Sequence, residues 1–126
     1  MVSAIATSPR MMIWRDVPIY LHRAPVDFSK SINGLSVLVQ ESMALDAFSG
    51  ALFVFGCRSR NKIKILYWDS IGFALWYKRL EKNKFKWPRH GDEVLHLTTE
   101  QFDWLIRGLD IAKLTPHHAI YFSEVA

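Results

Sequence analysis

Hydrophobic positions along the chain fall into stretches with the period of a helix and stretches with the period of a strand. Between Lys30 and Met43, Ile32, Leu35, Val39 and Met43 recur at three- and four-residue spacing, with Leu38 alongside. That spacing lays one apolar face along a helix, and burial of the face supplies its stability. Pro25-Val26-Asp27 forms a turn ahead of it, and Asp27 or Ser29 is the expected cap. A second helical pattern, Phe102, Leu105, Ile106 and Leu109, follows Thr98-Thr99-Glu100-Gln101. Those four residues spell a capping box, in which Thr98 and Gln101 satisfy each other's free amides. Gly108 and Pro116 set the end of this helix.

The strand patterns lie elsewhere. Pro18 to His22 is rich in strand formers, and Pro18 suggests a sheet edge. Ala51 to Phe55 is apolar at every position, as in a central strand covered on both faces. After a loop over Gly56–Asn61, Lys62 to Trp68 places Ile63, Ile65 and Tyr67 on one face and Lys62, Lys64, Leu66 and Trp68 on the other. Asp69 to Gly72 is a tight turn, and Phe73 to Leu80 alternates again. Lys84 to Trp87 and Val94 to Leu97 are two further short strands. Connections this short predict an antiparallel meander, because parallel strands need a crossover of about a dozen residues. The expected fold is α+β, a single domain with a four- to five-stranded antiparallel meander sheet packed on one face by two helices. Residues 1–12 are expected to be a flexible leader, 13–112 the domain and 113–126 a C-terminal tail.

Composition narrows the class. With 50% hydrophobic and 22% charged residues, the 126-residue chain reads as one globular domain with a real core. The single cysteine, Cys57, excludes an internal disulfide and a cysteine-based zinc site. No apolar run approaches the ~20 residues that span a bilayer, and the first residues are too polar for a secretory signal. A cytoplasmic location without a membrane partner is expected.

Charge changes the picture more. From Gly56 to Gly91 there are ten basic and two acidic residues, a balance of +8, while the remainder holds six basic and ten acidic residues, a balance of −4. The overall +4 therefore conceals a polarised molecule, and such a field speaks of a polyanionic partner. Arg58 and Arg60 fall on a loop, Lys62, Lys64 and Lys78 on strands, and Arg79, Lys82, Lys84, Lys86 and Arg89 continue beyond. Gathered on one surface they form a nucleic-acid footprint; the plainer reading is a solvated sheet face with lysines guarding an edge. Aromatic residues alternating on strands usually belong to the core. Trp87, beside a proline in a basic segment, is the best candidate for stacking on an unpaired base.

Catalytic chemistry finds little support. Strand transfer needs several carboxylates around divalent ions, and the central stretch offers only Asp69, at a turn, and Glu81, beside a Lys-Arg pair. The five histidines are scattered without ligand spacing. Cys57, next to Arg58, is a candidate for a lowered thiol pKa but lacks an adjacent base. No catalytic residue, metal site or cofactor is assigned.

The motifs Val26-Asp-Phe-Ser-Lys-Ser-Ile-Asn-Gly-Leu35, Phe48-Ser-Gly50, Leu52-Phe-Val-Phe55, Lys62-Ile-Lys-Ile-Leu-Tyr-Trp-Asp69, Gly72-Phe-Ala-Leu-Trp-Tyr-Lys-Arg-Leu-Glu81 and Phe85-Lys-Trp-Pro88 carry a family resemblance. Over roughly Ile13 to Ile111 the sequence resembles the TnpB-type accessory proteins of IS66-group insertion sequences. The resemblance implies a mobile-element protein that works beside a separate transposase. Ser29 stands where that family usually has Arg, and Gly56-Cys57 where a more polar pair is common. The expected function is a non-catalytic transposition accessory that contacts DNA through the basic strand-loop surface. The alternative is an adaptor that recruits or regulates the transposase without binding DNA.

Overall fold

The computed structural model describes residues 16–113, which form a five-stranded sheet with one helix against each face. The elements are β1 (Ile19–His22), α1 (Ile32–Glu41), β2 (Leu52–Gly56), β3 (Lys62–Trp68), β4 (Phe73–Arg79), β5 (Val94–Leu97) and α2 (Thr99–Ile106). A single 3₁₀ turn, Ile111–Lys113, follows α2. The expected leader and the tail beyond Lys113 lie outside the described residues.

Sheet order is β4-β3-β2-β1-β5. β2, β3 and β4 form the expected meander, with Val54 opposite Ile65 and Ile65 opposite Trp76. The sheet as a whole is mixed, not purely antiparallel. β1 runs parallel to β2, with Ile19 opposite Leu52, and antiparallel to β5. The chain between β1 and β2, α1 included, is long enough for the crossover that parallel strands require. Nor is β1 an edge strand. Pro18 sits just before it, where its missing N–H costs nothing, and its carbonyl accepts from the Leu52 amide at 2.9 Å.

Strand alternation sorts the apolar residues into two cores. Ile19, Leu21, Leu52, Val54, Ile63, Ile65 and Tyr67 meet Phe102, Leu105 and Ile106 of α2. Phe53, Phe55 and Leu66 meet Leu35, Val39 and Met43 on the α1 side. The helices therefore cover opposite faces rather than one. That is why β2, apolar throughout, is buried at every position. Each fully buried aliphatic or phenyl side chain contributes roughly 1.5–3 kcal/mol.

Local chemistry fixes the ends. The Thr98–Gln101 capping box is complete, with bonds of 3.0 and 2.9 Å. Gly108, at φ +82°, closes α2: its amide donates to Leu105 O, and that of Leu109 to Trp104 O. This pair of bonds is a Schellman motif, which needs a left-handed residue. At α1 the expected cap is displaced. Ser31 is the N-cap and makes no side-chain capping bond, while Asp27 Oδ1 accepts from the Ser29 amide in a turn of its own. That backbone bond is the main cause holding the Asp27 carboxyl below its usual value.

The segment from Lys84 to Trp87 is not a strand. It runs irregularly beside the β2–β3 loop, anchored by the Phe85 amide donating to Arg60 O at 2.7 Å and by the buried Phe85 ring.

Candidate nucleic-acid interface

The basic residues divide into three groups according to what the fold does with them. Lys64 and Lys78 are held by backbone carbonyls. Lys64 Nζ donates to Phe28 O at 2.9 Å and to Lys30 O at 2.8 Å, and stands 4.9 Å from the centre of the Phe28 ring. It thus ties β3 to the turn that leads into α1. Lys78 points to the other face and donates to Ile106 O at 2.8 Å, at the C-terminal end of α2. A cation there meets both the free carbonyl and the negative end of the helix dipole.

A second group lies on the α1 face at the β3–β4 end of the sheet. Lys62 pairs in register with Arg79, and the Arg79 guanidinium forms an exposed ion pair with Glu81 at 3.0 Å. Arg58 and Lys82 are exposed nearby in the chain, on the loop before β3 and the segment after β4.

The third group is drawn together by tertiary structure. Arg60, Lys84, Lys86 and Arg89 line one concave groove of about 640 Å³, facing a single acid, Asp110. Its apolar wall is made by Trp87, Pro88, Leu95, Leu97 and Ile111. None of those four cations makes a side-chain hydrogen bond or ion pair among the described residues. Two backbone bonds hold their segments side by side: Phe85 N to Arg60 O, and Leu80 N to Asn61 O at 2.8 Å. Arg60 itself sits at φ +64°, directing the loop across this junction.

Trp87 lines the groove but is not a loose stacking residue. Its Nε1 donates to Arg23 O at 2.8 Å, and its six-membered ring covers Gly56 so closely that a Cβ there would lie 2.9 Å from Cη2. The Arg23 side chain in turn donates to Asp92 O at 3.0 Å and Arg89 O at 3.2 Å. Arg23 is the organising residue that periodicity gives no sign of. It lies just past β1, outside the basic stretch, and its role arises from contacts more than sixty residues away.

The remaining candidates have structural roles. Asp69 Oδ1 accepts from the Ile71 and Gly72 amides, closing the β3–β4 turn. His22 is buried between Ala24 O and Ser42 Oγ. Burial pushes the Cys57 thiol up, but hydrogen bonding by Ser59 and the backbone of Asn61, Lys62 and Arg60 outweighs this and holds it below its usual value. Its lowering follows from the loop's own bonds. Among the described residues no cluster of three or more metal-ligating side chains occurs, and no helix is long and apolar enough to cross a membrane. His117 and His118 lie outside the described residues.

At the opposite end of the β3–β4 pair, Phe48, Trp68 and Phe73 form a trio of rings with centroids 5.0–5.1 Å apart. Phe48 is 52% exposed and Ile71, in the adjoining turn, 89%. The β3 strand separates this apolar corner from the basic end by roughly 20 Å.

The fold is a mixed α+β domain, and sequence comparison supplies its lineage. The family described as IS66 Orf2 like protein matches residues 17–116, and the chain belongs to that family of insertion-sequence accessory proteins. The uncharacterized protein y4jC of Sinorhizobium fredii is 38% identical over 96 residues, covering 76% of this chain and 82% of the relative. The uncharacterized protein y4hO of the same organism is 29% identical over 96 residues, covering 76% and 84%. No solved structure matches the chain.

Proposed function

We propose that this protein is a non-catalytic transposition accessory that contacts DNA through its basic end. The observation that carries the reading is the convergence on one surface of Arg60, Lys84, Lys86 and Arg89, whose side chains make no hydrogen bond or ion pair among the described residues. Four cations gathered around a groove whose described lining holds one acid, Asp110, constitute a field that a phosphate backbone neutralises, releasing counterions. Arg58 and Lys82, exposed elsewhere on the loop before β3 and the segment after β4, add to the positive field. The four cations sit on loop and irregular chain rather than on a helix, which favours contacts mainly to phosphate. A fluorescence anisotropy titration with DNA from the element's ends tests this. Binding weakens steeply with salt, and Lys86→Ala reduces the salt slope by about 1. Absence of binding at low salt refutes it.

The exposed corner of Phe48 and Ile71 favours a second reading, an adaptor that holds the transposase. A pull-down of transposase that survives nuclease treatment and fails with Phe48→Ser would favour it over the first.

A further inference from the structure

The groove differs from the rest of the basic surface in being concave and apolar at its wall. A duplex displays phosphates and hides its base faces, so it needs cations on an open face and has no use for a cavity. An unpaired nucleotide offers both an anion and an apolar π-face. The groove presents the counterpart of each: Lys84, Lys86 and Arg89 at the rim, with Trp87, Pro88 and Leu95 forming the wall. Its volume of about 640 Å³ lies within the range of small-ligand sites. The wall is also fixed in advance. Trp87 is pinned by Arg23 O and by Gly56, and Arg23 holds the carbonyls of Arg89 and Asp92. Base binding would not have to pay the ordering entropy of an irregular loop.

We propose that this groove binds single-stranded DNA, seating an unpaired base against the Trp87–Pro88–Leu95 wall while the cationic rim holds its phosphates. The proposal rests on the DNA-contact reading and sharpens it: the ligand is unpaired strand rather than duplex. Stacking is tolerant of base identity, so selectivity is for strandedness more than for sequence.

The test uses the full chain with labelled oligonucleotides of about twelve nucleotides, single-stranded and duplexed, and an acidic peptide of matched charge. The expected result is a preference for single strand of about tenfold at equal salt. Leu95→Trp, which fills the groove and leaves every cation in place, abolishes that preference. Lys86→Glu, on exposed chain and with no side-chain bond among the described residues, weakens both ligands and serves as the check if Leu95→Trp disturbs folding. Trp87 fluorescence supplies an independent signal: Trp87→Phe removes a quench that single strand alone produces. Equal affinity for the two DNA forms, unaffected by Leu95→Trp but reduced by Lys86→Glu, overturns the groove and leaves the DNA surface standing. Binding of neither DNA overturns both readings, and binding of the peptide alone overturns them in favour of a protein partner.

Discussion

The indole Nε1 of Trp87 donates to the carbonyl of Arg23 at 2.8 Å, across 64 residues of chain. This bond clamps the irregular basic segment against the end of β1, and it turns the most conspicuous exposed-looking aromatic into a structural wall. The position of the rim cations depends on it.

Gly56 is the other half of that clamp. A methyl group at this position would meet the Trp87 ring at 2.9 Å, and β2 lies in the middle of the sheet and cannot yield. Gly56→Ala therefore destabilises by about 1–3 kcal/mol, the usual cost of overpacking. Urea denaturation measures it. Combining the change with Trp87→Leu costs less than the sum of the two, because the ring is the source of the clash.

Lys64 and Lys62 lie two residues apart on one strand face but do different work. Lys64→Met removes two charge-assisted bonds and leaves Phe28 O and Lys30 O without their donor. It costs about 1.5–3 kcal/mol, whereas Lys62→Met stays within about 0.5 kcal/mol. The contrast is read from paired urea midpoints.

Lys78→Met takes the cation from the end of α2. The Ile106 carbonyl loses its 2.8 Å partner, and the melting temperature falls by an amount equivalent to about 1–2 kcal/mol. Raising ionic strength does not reproduce the loss, since a partly buried bond is poorly screened.

Cys57 carries a pH dependence of definite sign. Its folded pKa lies below its ordinary value, so the folded state loses its proton first. The contribution to stability is absent well below the folded pKa, grows as the pH rises toward the unfolded value of about 8.5, and is full above it. It is lost again as the pH falls through the folded pKa. Iodoacetamide alkylation against pH should reach half its maximum rate at a lower pH than in the urea-unfolded chain, and Ser59→Ala should move that midpoint upward.

Much of the fold is legible in residue order because its cause is local. β3 and β5 begin and end where their alternation does, and α2 starts at its capping box and stops at Gly108. The uninterrupted apolar run of β2 announced a strand covered on both sides. The same observation should have placed the helices on opposite faces, since one helical layer cannot cover both. The family, too, was legible, because its motifs are largely these core and turn residues.

Residue order alone determined the two helices, the five strands of the sheet, the cap of α2 and the concentration of charge between Gly56 and Gly91. Tertiary structure decided the partner of β1, which depends on burial between segments far apart in sequence. It also decided which cations are free. Lys64 and Lys78 look like Lys84 and Lys86 in composition, yet carbonyls brought in by α1's leading turn and α2's end claim the first two. Lys84 and Lys86 line the groove with no such claim upon them among the described residues. Charge is a property of the sequence; availability of charge is a property of the neighbours that folding supplies.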